Sequence, residues 1–275
     1  HGVKNMRLVA TEACRRARNG ENFVAQVRRE TGLTLEIIKP EEEARLAVIS
    51  CAPLVSTTTT QLLVVDIGGG STELVWIDLT NVPPRERPRA IMRLHAGFKS
   101  DPGPFAAAKV VDWISVPLGV ATLRDQFADV DDDAARFALM SWFFEENLEA
   151  FSPYAAAQAR DGFQIVGTSG TVTTVAASYL GLKRYDRTKV DGLRMTTDQI
   201  DEVIQTYLSL GPVGRRNDPR IGKDRQALIM SGAAILQTLM RLWPTDRLSV
   251  ADRGLREGLL YAQMSADGVL EDTPY

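Results

Sequence analysis

The run Asp66-Ile67-Gly68-Gly69-Gly70-Ser71-Thr72-Glu73 decides how this chain is interpreted. It follows the apolar stretch Leu62–Val65 and leads into Leu74–Ile77, so the local order is strand, glycine turn, strand. Three consecutive glycines allow positive φ angles and carry no Cβ that would obstruct a ligand. Backbone N–H groups in such a turn form a concavity that suits phosphate oxygens. The run therefore predicts a phosphate-binding hairpin.

Carboxylates stand at both ends of this glycine turn, as Asp66 and Glu73. They do not bind phosphate, but carboxylates hold a hydrated Mg²⁺ or orient a water molecule. The arrangement therefore suggests phosphoryl chemistry and leaves open which of these two roles the carboxylates have. The alternative is a tight hairpin turn without a ligand. It is disfavoured because Asn-Gly or Asp-Gly would form such a turn with less glycine.

Two other glycine motifs are excluded by spacing. A P-loop requires Gly-Lys-Ser/Thr at a helix start, and no such lysine follows this turn. A dinucleotide fingerprint opens a helix, whereas the residues after Ser71 alternate as in a strand.

Composition sets limits on the function. The 275 residues carry a net charge of −3, which argues against a general nucleic-acid partner. Two cysteines support neither a disulfide framework nor a zinc site. No apolar run has the length of a membrane span, and the first residues do not resemble a signal peptide. The expected compartment is the cytoplasm, with no membrane partner.

Repeated strand–turn–helix units predict α/β architecture. The strands are expected at 6–10, 33–38, 62–65, 74–77, 90–94, 110–117, 163–166 and 248–251. The helices are expected at 21–31, from 40, 118–127, 131–151, from 172, 197–210 with Thr197 as its cap, 224–243 and 255–264, with a basic turn at 11–20. Five aromatic residues of the 131–151 segment are expected in the core: Phe137, Trp142, Phe143, Phe144 and Phe151.

A second glycine turn, Gly167-Thr168-Ser169-Gly170-Thr171, lies between a strand and a helix. The N-terminus of a helix is a common position for a bound anion. We expect Ser169 and Gly170 to line a cleft, with a simple helix cap as the alternative.

Several segments together make the chain similar to the exopolyphosphatase/guanosine pentaphosphate phosphatase (Ppx/GppA) family. They occur in the family's order: 11–19, 42–46, 66–73, 167–171 and 252–258. The resemblance implies the actin-like, ribonuclease H-like fold of sugar kinases, Hsp70 and actin, in which a cleft separates two α/β domains. Residues 1–60 would be the C-terminal part of an incomplete first domain, 61–265 the second domain, and 266–275 a tail.

The resemblance also implies roles for individual residues. Glu43 resembles the catalytic glutamate that activates the attacking water. From the residues alone, Glu41, Glu42 and Glu43 all equally suit the positive end of a helix. Asp66 and Glu73 resemble the catalytic pair that positions Mg²⁺ and this water. The resemblance assigns phosphate contacts to Arg15, Gly68, Gly69, Gly70, Ser71, Ser169 and Gly170.

The sequence also departs from the family pattern. It begins at His1 and enters a strand almost at once, so we expect an N-terminal portion to be missing. The family's first glycine-serine phosphate turn and opening strands are absent, which predicts an exposed sheet edge and impaired catalysis. Lys39-Pro40-Glu41 replaces small residues ahead of the glutamate pair, and a helical C-terminal extension that assists processivity is lacking.

The function implied is hydrolysis of a terminal phosphoanhydride, in inorganic polyphosphate or in guanosine pentaphosphate, and the sequence leaves that choice open. An actin-like ATPase or sugar kinase is one alternative, and a non-catalytic protein that binds polyphosphate or nucleotides is another. The resemblance allows a homodimer, and the oligomeric state is left open.

Overall fold

The computed structural model describes residues 2–3, 5–94, 97–98, 108–156 and 161–270. Within these ranges the chain forms eight strands and eleven α-helices. The strands are β1 (Leu8–Ala10), β2 (Leu35–Ile37), β3 (Gln61–Ile67), β4 (Thr72–Asp78), β5 (Lys109–Val116), β6 (Phe163–Thr168), β7 (Arg194–Met195) and β8 (Leu248–Ala251). The helices are α1 (Glu12–Arg16), α2 (Gly20–Thr31), α3 (Pro40–Ser50), α4 (Arg87–Arg93), α5 (Val120–Gln126), α6 (Asp133–Glu146), α7 (Gly170–Tyr179), α8 (Arg187–Val190), α9 (Thr197–Asn217), α10 (Ile229–Leu242) and α11 (Leu255–Ala266).

A six-stranded mixed sheet with the order β5-β4-β3-β6-β8-β7 forms the centre of the molecule. Strands β3, β4 and β5 form an antiparallel meander, and β6 and β8 continue parallel to β3. Side chains of β3 alternate between two buried faces, with Leu63 and Val65 on one and Leu62 and Val64 on the other. Helices cover both faces, so the prediction of α/β architecture is confirmed.

One face of the sheet packs against α6, α7, α9 and α10. Trp243 is fully buried there, with ring centroids 6.0 Å from Trp76 and 5.9 Å from Phe151. The core prediction is confirmed for Phe137, Phe144 and Phe151, and Phe143 packs against the same cluster.

The core prediction is wrong for Trp142, which is 55% exposed. Consecutive residues of a helix point about 100° apart, so neighbouring aromatic residues in α6 cannot all face the sheet. The helix also ends at Glu146, and the chain reaches Phe151 through turns.

The opposite face packs against α3, α4 and α11. The apolar side of α3, including Leu46 and Ile49, lies in one cluster with Leu62 and Val64 of β3. Ahead of α3, β1 and β2 form a two-stranded parallel sheet. The domain boundary near residue 60 stays a prediction, although α3 before it rests on the six-stranded sheet. Of the tail predicted at 266–275, residues 271–275 lie outside the described ranges.

The strand predicted at 90–94 is wrong, because these residues belong to α4 and the turn after it. The apolar run at 90–92 is too short for its periodicity to distinguish helix from strand. Pro88 in the first turn favours a helix start, and the helix buries Ala90 and Ile91.

Several predicted boundaries also need correction. Part of the expected basic turn at 11–20 is the short helix α1, and α10 begins at Ile229 rather than at 224. The cap of α9 is Thr196, whose side chain accepts from Gln199 N, rather than Thr197. The helix continues past 210 to Asn217 through a break at Gly211, where φ is 61°.

Among the residues that the structure describes, no helix is both long enough and apolar enough to cross a bilayer.

A Gly258→Ala substitution is expected to destabilise the fold. A Cβ at Gly258 of α11 would lie 2.1 Å from the carbonyl oxygen of Leu46, so α3 and α11 would have to separate. Alanine favours a helix by about 1 kcal/mol over glycine, but overpacking a core contact costs about 1–3 kcal/mol. The free energy of unfolding, measured by urea denaturation, should therefore fall. The control is Gly222→Ala, because no atom lies within 4 Å of that Cβ. A Gly258→Ala variant with an unchanged free energy of unfolding would contradict the close crossing of α3 and α11 at this position.

Candidate active site

The register of the central sheet places the two carboxylates of the glycine hairpin side by side. Asp66 of β3 pairs with Glu73 of β4, Glu73 pairs with Ser115 of β5, and Asp66 pairs with Thr168 of β6. Residues in register share a face of the sheet. A row of polar side chains therefore crosses four strands at one end of the sheet, on the face that α3 covers.

The glycine hairpin is held by the start of α5. The N–H groups of Val120 and Ala121 donate to the carbonyls of Gly68 and Gly69, each at 2.9 Å. These are the donors that the first turn of a helix leaves without an intrahelical partner. Among the described residues, no acceptor takes the N–H of Gly69 or Gly70. The hairpin thus has its carbonyls engaged and two N–H groups free to receive phosphate oxygens.

Gly119 makes this arrangement sterically feasible, and sequence reasoning gave it no role. A Cβ on Gly119 would lie 2.4 Å from the Gly68 carbonyl oxygen and 2.5 Å from the Gly69 carbonyl carbon. The sequence shows Gly119 at the start of a helix, but the backbone it must approach lies about 50 residues earlier.

Helix α3 brings Glu43 to the same end of the sheet, where it forms an ion pair with Arg15. The Arg15 guanidinium donates to Glu43 Oε2 at 2.7 Å, to Glu12 Oε2 at 3.0 Å and to the Ile38 carbonyl at 2.8 Å. The side chains of Arg15 and Glu43 are only 15% and 13% exposed. Residues of α1 and α3 therefore hold each other in position.

Glu12 belongs to the segment 11–19 that resembles the family, but it was not predicted as a site residue. A Cβ on Gly70 would lie 2.9 Å from Glu12 Cγ, so the Glu12 side chain packs directly over the hairpin. It links α1 to the glycine turn at the same time as it binds Arg15. Its place three residues before Arg15 is compatible with an i,i+3 ion pair, but the sequence does not show the hairpin contact.

Burial and mutual repulsion perturb these carboxyls. Burial, and then the nearby Glu43, raise the pKa of Asp66 to about 7. Burial, and then Asp66, raise the pKa of Glu73 to about 8, although hydrogen bonds with Ser71 and Ser115 act in the opposite direction. Ser115 Oγ donates to Glu73 Oε1 at 2.8 Å. Perturbed carboxyls concentrate at functional sites, which supports chemistry at this end of the sheet.

The second glycine turn borders a cavity of about 520 Å³ that also reaches Asp66. Ser169 has a φ angle of 100°, uncommon for a residue with a side chain, and its buried Oγ lacks a hydrogen-bond partner among the described residues. Strain of this kind clusters at ligand sites. Gly170 begins α7, and α11 begins at Leu255 beside the same cavity, so two helix N-termini meet there.

Arg225 was also missed in the sequence. Its guanidinium covers Gly170, where a Cβ would lie 2.1 Å from Arg225 Cζ. It lines the cavity and, within the described ranges, donates to no carboxylate or carbonyl. It follows a connecting segment rather than a recognisable motif, so only the tertiary contact reveals it.

The residues present fit a hydrated Mg²⁺. Asp66, which is half-buried, and Glu73, which is buried, are adjacent, and within the described residues no arginine or lysine forms an ion pair with either. Mg²⁺ binds through one or two carboxylates and keeps several waters. Among the described residues, no group of three or more potential metal ligands is found. Mg²⁺ binding stays a prediction.

Comparison with known proteins shows to which family the chain belongs. The family model described as "Ppx/GppA phosphatase family" matches residues 1–267 of the chain. The chain belongs to this family. A Ppx/GppA family member from Aquifex aeolicus has 30% sequence identity over 96% of this chain and 76% of its own, with a TM-score of 0.72. Such neighbours have the actin-like fold, so that fold prediction is confirmed.

Curated members of the Ppx/GppA phosphatase family carry two kinds of name. The chain is 25% identical to exopolyphosphatase 1 of Mycobacterium tuberculosis over 97% of its length and 69% of that protein. It is 27% identical to guanosine-5'-triphosphate,3'-diphosphate pyrophosphatase of Aeromonas salmonicida over 94% of its length, but it spans only 44% of that protein.

The structure brings together the predicted residues Arg15, Glu43, Asp66 and Glu73 with the glycine hairpin. Ser169 and Gly170 lie on the cavity that adjoins Asp66. The catalytic, phosphate-binding and metal roles of these residues stay predictions.

A Glu73→Gln substitution is expected to stabilise the metal-free protein near pH 8. The pKa of Glu73 rises from its ordinary 4.5 to about 8 on folding, so between these values the native state binds more protons than the unfolded state. Its contribution to stability is therefore lost as pH rises through this window. The gain in Tm, at about 2–4 °C per kcal/mol, should shrink near pH 5.

Mg²⁺ provides a second measurement on the same variant. Added Mg²⁺ should raise the Tm of the unsubstituted protein near pH 8 and have less effect on Glu73→Gln, because binding to the native state stabilises it. Glu146→Gln is the control, since Glu146 is exposed on α6. Equal Mg²⁺ shifts in all three proteins would contradict a metal at Glu73.

Proposed function

We propose that the protein is a Mg²⁺-dependent phosphatase that removes the terminal phosphate of inorganic polyphosphate or guanosine pentaphosphate. The observation that carries this proposal is the convergence of Glu43, Asp66 and Glu73 beside a hairpin with free N–H groups. The names of relatives in the Ppx/GppA phosphatase family support it, since they specify one or the other of these substrates.

The glycine hairpin receives the terminal phosphate in this mechanism. The N–H groups of Gly69 and Gly70 donate to its oxygens, and Arg15 adds positive charge from α1. A water oxygen attacks phosphorus, and the bond to the bridging oxygen breaks. Orthophosphate and a chain shorter by one phosphate leave. Phosphoryl transfer depends on such positioning and charge neutralisation more than on covalent catalysis.

Glu43 acts as the general base and accepts a proton from the attacking water. Its ion pair with Arg15, in which Arg15 Nη2 lies 2.7 Å from Glu43 Oε2, fixes the orientation of the carboxylate. Asp66 and Glu73 would hold Mg²⁺, which when bound neutralises phosphate charge and lowers the pKa of its waters. With Asp66 and Glu73 engaged by a cation, Glu43 is the carboxylate within electrostatic range of both that is left to accept the proton.

The remainder of the substrate is placed in the cavity that adjoins Asp66. The N-termini of α7 and α11 and the Arg225 guanidinium all favour negative charge in this cavity. These features suit both polyphosphate and the phosphates of a guanosine nucleotide. We also propose the cytoplasm as the compartment, without a nucleic-acid partner.

Glu43→Gln is expected to lower kcat by about 10²–10⁴-fold, because it removes the proton acceptor but keeps the shape of the side chain. Binding of substrate, measured at equilibrium, should be largely retained. The matched control is Glu41→Gln, which removes the same charge from an exposed position of the first turn of α3. Equal losses of binding and turnover in Glu43→Gln would contradict the role of a general base.

A phosphate-release assay on the full-length protein distinguishes the candidate reactions. Polyphosphate and guanosine pentaphosphate are compared side by side, without an acceptor and with Mg²⁺ or EDTA. Release that depends on Mg²⁺ is the expected result. Transfer from ATP to a sugar without hydrolysis of either substrate would indicate a kinase, and binding without turnover would indicate a sensor.

A further inference from the structure

A second cavity, of about 340 Å³, lies between α5, α6, α9 and the segment that precedes α10. We call it the basic cavity because five cationic side chains line it. They are Arg124, Arg136, Arg215, Arg216 and Lys223, and Asp133 is the carboxylate among the described lining residues. The whole chain carries a net charge of −3, so this local excess of positive charge is not a consequence of its composition.

Arg215 anchors the wall of the basic cavity. It is 5% exposed, donates to both carboxylate oxygens of Asp133 at 2.9 and 2.7 Å, and donates to the Tyr207 carbonyl at 2.8 Å. The break at Gly211, followed by Pro212, separates the last turns of α9 from the rest of the helix. This short segment carries both Arg215 and Arg216.

The remaining cations of the basic cavity differ in how well they are neutralised. Arg136 donates to the Val130 carbonyl, and Arg124 pairs with Asp125 on the surface. Arg216 and Lys223 are exposed, and no carboxylate within the described residues forms an ion pair with either. Arg216 and Lys223, which have no ion-pair partner among the described residues, therefore line the same cavity as three other basic side chains. An anionic ligand bound there would reduce the electrostatic repulsion among these side chains.

One loop separates the basic cavity from the cavity next to Asp66. Gly222, Asp224 and Arg225 line the cavity at Asp66, whereas Lys223 and Gln226 line the basic cavity. A flexible anionic chain that passes over this loop would meet Arg225 on one side and Lys223 on the other.

We propose that the basic cavity is an accessory site for inorganic polyphosphate, which holds part of the chain beyond the scissile phosphate. This inference rests on the proposed function. A nucleotide fits less well, because the described lining residues include no aromatic ring on which a base would stack. Polyphosphate carries negative charge on every phosphate, and basic side chains from three helices and one loop match a polyanion.

The test removes the two uncompensated charges and leaves the Arg215–Asp133 pair intact, since breaking a buried ion pair would destabilise the fold. The variant is Arg216→Ser with Lys223→Ser. Equilibrium binding of long-chain polyphosphate should weaken roughly tenfold, and the slope of log K against log salt should fall by about two. Binding of tripolyphosphate, for which the cavity of about 520 Å³ next to Asp66 has room by itself, should not change.

The matched control is Arg28→Ser with Arg29→Ser, which removes the same charge from exposed positions of α2. Equal weakening in the control and the test variant would show a general charge effect and overturn the inference. So would unchanged binding in the test variant, absence of polyphosphate binding by the unsubstituted protein, or tighter binding of a guanosine nucleotide than of polyphosphate in this cavity.

The two proposals fail in different ways. If the unsubstituted protein binds long-chain polyphosphate through Arg216 and Lys223 but releases no phosphate, the proposed function is wrong and the basic cavity is a polyphosphate-binding site without a role in catalysis. If phosphate is released but the test variant binds long chains normally, the accessory site is wrong and the proposed function stands.

Discussion

The close crossing of α3 and α11 is the contact on which the arrangement of the site depends. At Gly258 the backbones approach so closely that no side chain fits between them. The crossing presses α3 onto the same face of the sheet that carries Asp66 and Glu73. The N-terminal turn of α3 then stands over the end of β3, and Glu43 is brought within electrostatic range of Asp66. A backbone contact between Gly258 and Leu46 thus helps to determine where the carboxylates meet.

The cluster of carboxylates that results is unfavourable for the folded state by itself. Asp66, which is half-buried, and Glu73, which is buried, lie in register and both have raised pKa values. Burying like charges costs free energy, which the apolar clusters on both faces of the sheet must offset. Perturbed carboxyl groups of this kind concentrate at functional sites, so the cluster is better explained by the proposed function than by a contribution to stability.

The sequence was sufficient for the features that depend on local pattern. The glycine hairpin, the strands β6 and β8, and the α/β class follow from periodicity and turn residues, and the resemblance to the Ppx/GppA family added the actin-like fold. It was insufficient where a short segment fits two patterns. Residues 90–93 form the end of α4 rather than a strand, because burial of Ala90 and Ile91 decides between similar local preferences.

The same limit applies to the candidate site. Glu43 could be separated from Glu41 and Glu42 only by resemblance, whereas the structure shows that Glu43 is the one paired with Arg15. Gly119 and Arg225 matter through contacts with residues about 50 positions distant in sequence, and no local signal marks such contacts. Glu12 lay in a recognised motif, but its packing against Gly70 is a tertiary feature.

The three hydrogen bonds of Arg15 have a geometric consequence. A guanidinium has five N–H donors in one rigid plane. Arg15 donates to Glu12, Ile38 and Glu43, and its Nη2 also lies 3.0 Å from Glu12 Oε2, so the second N–H of Nη1 is the donor left uncommitted among the described contacts. A phosphate oxygen that accepts from this N–H would not need to displace Glu43. The distance from the Glu43 carboxylate to that phosphate would then be limited by the dimensions of a rigid planar group. Arg15 would then fix the spacing between the Glu43 carboxylate and the bound phosphate.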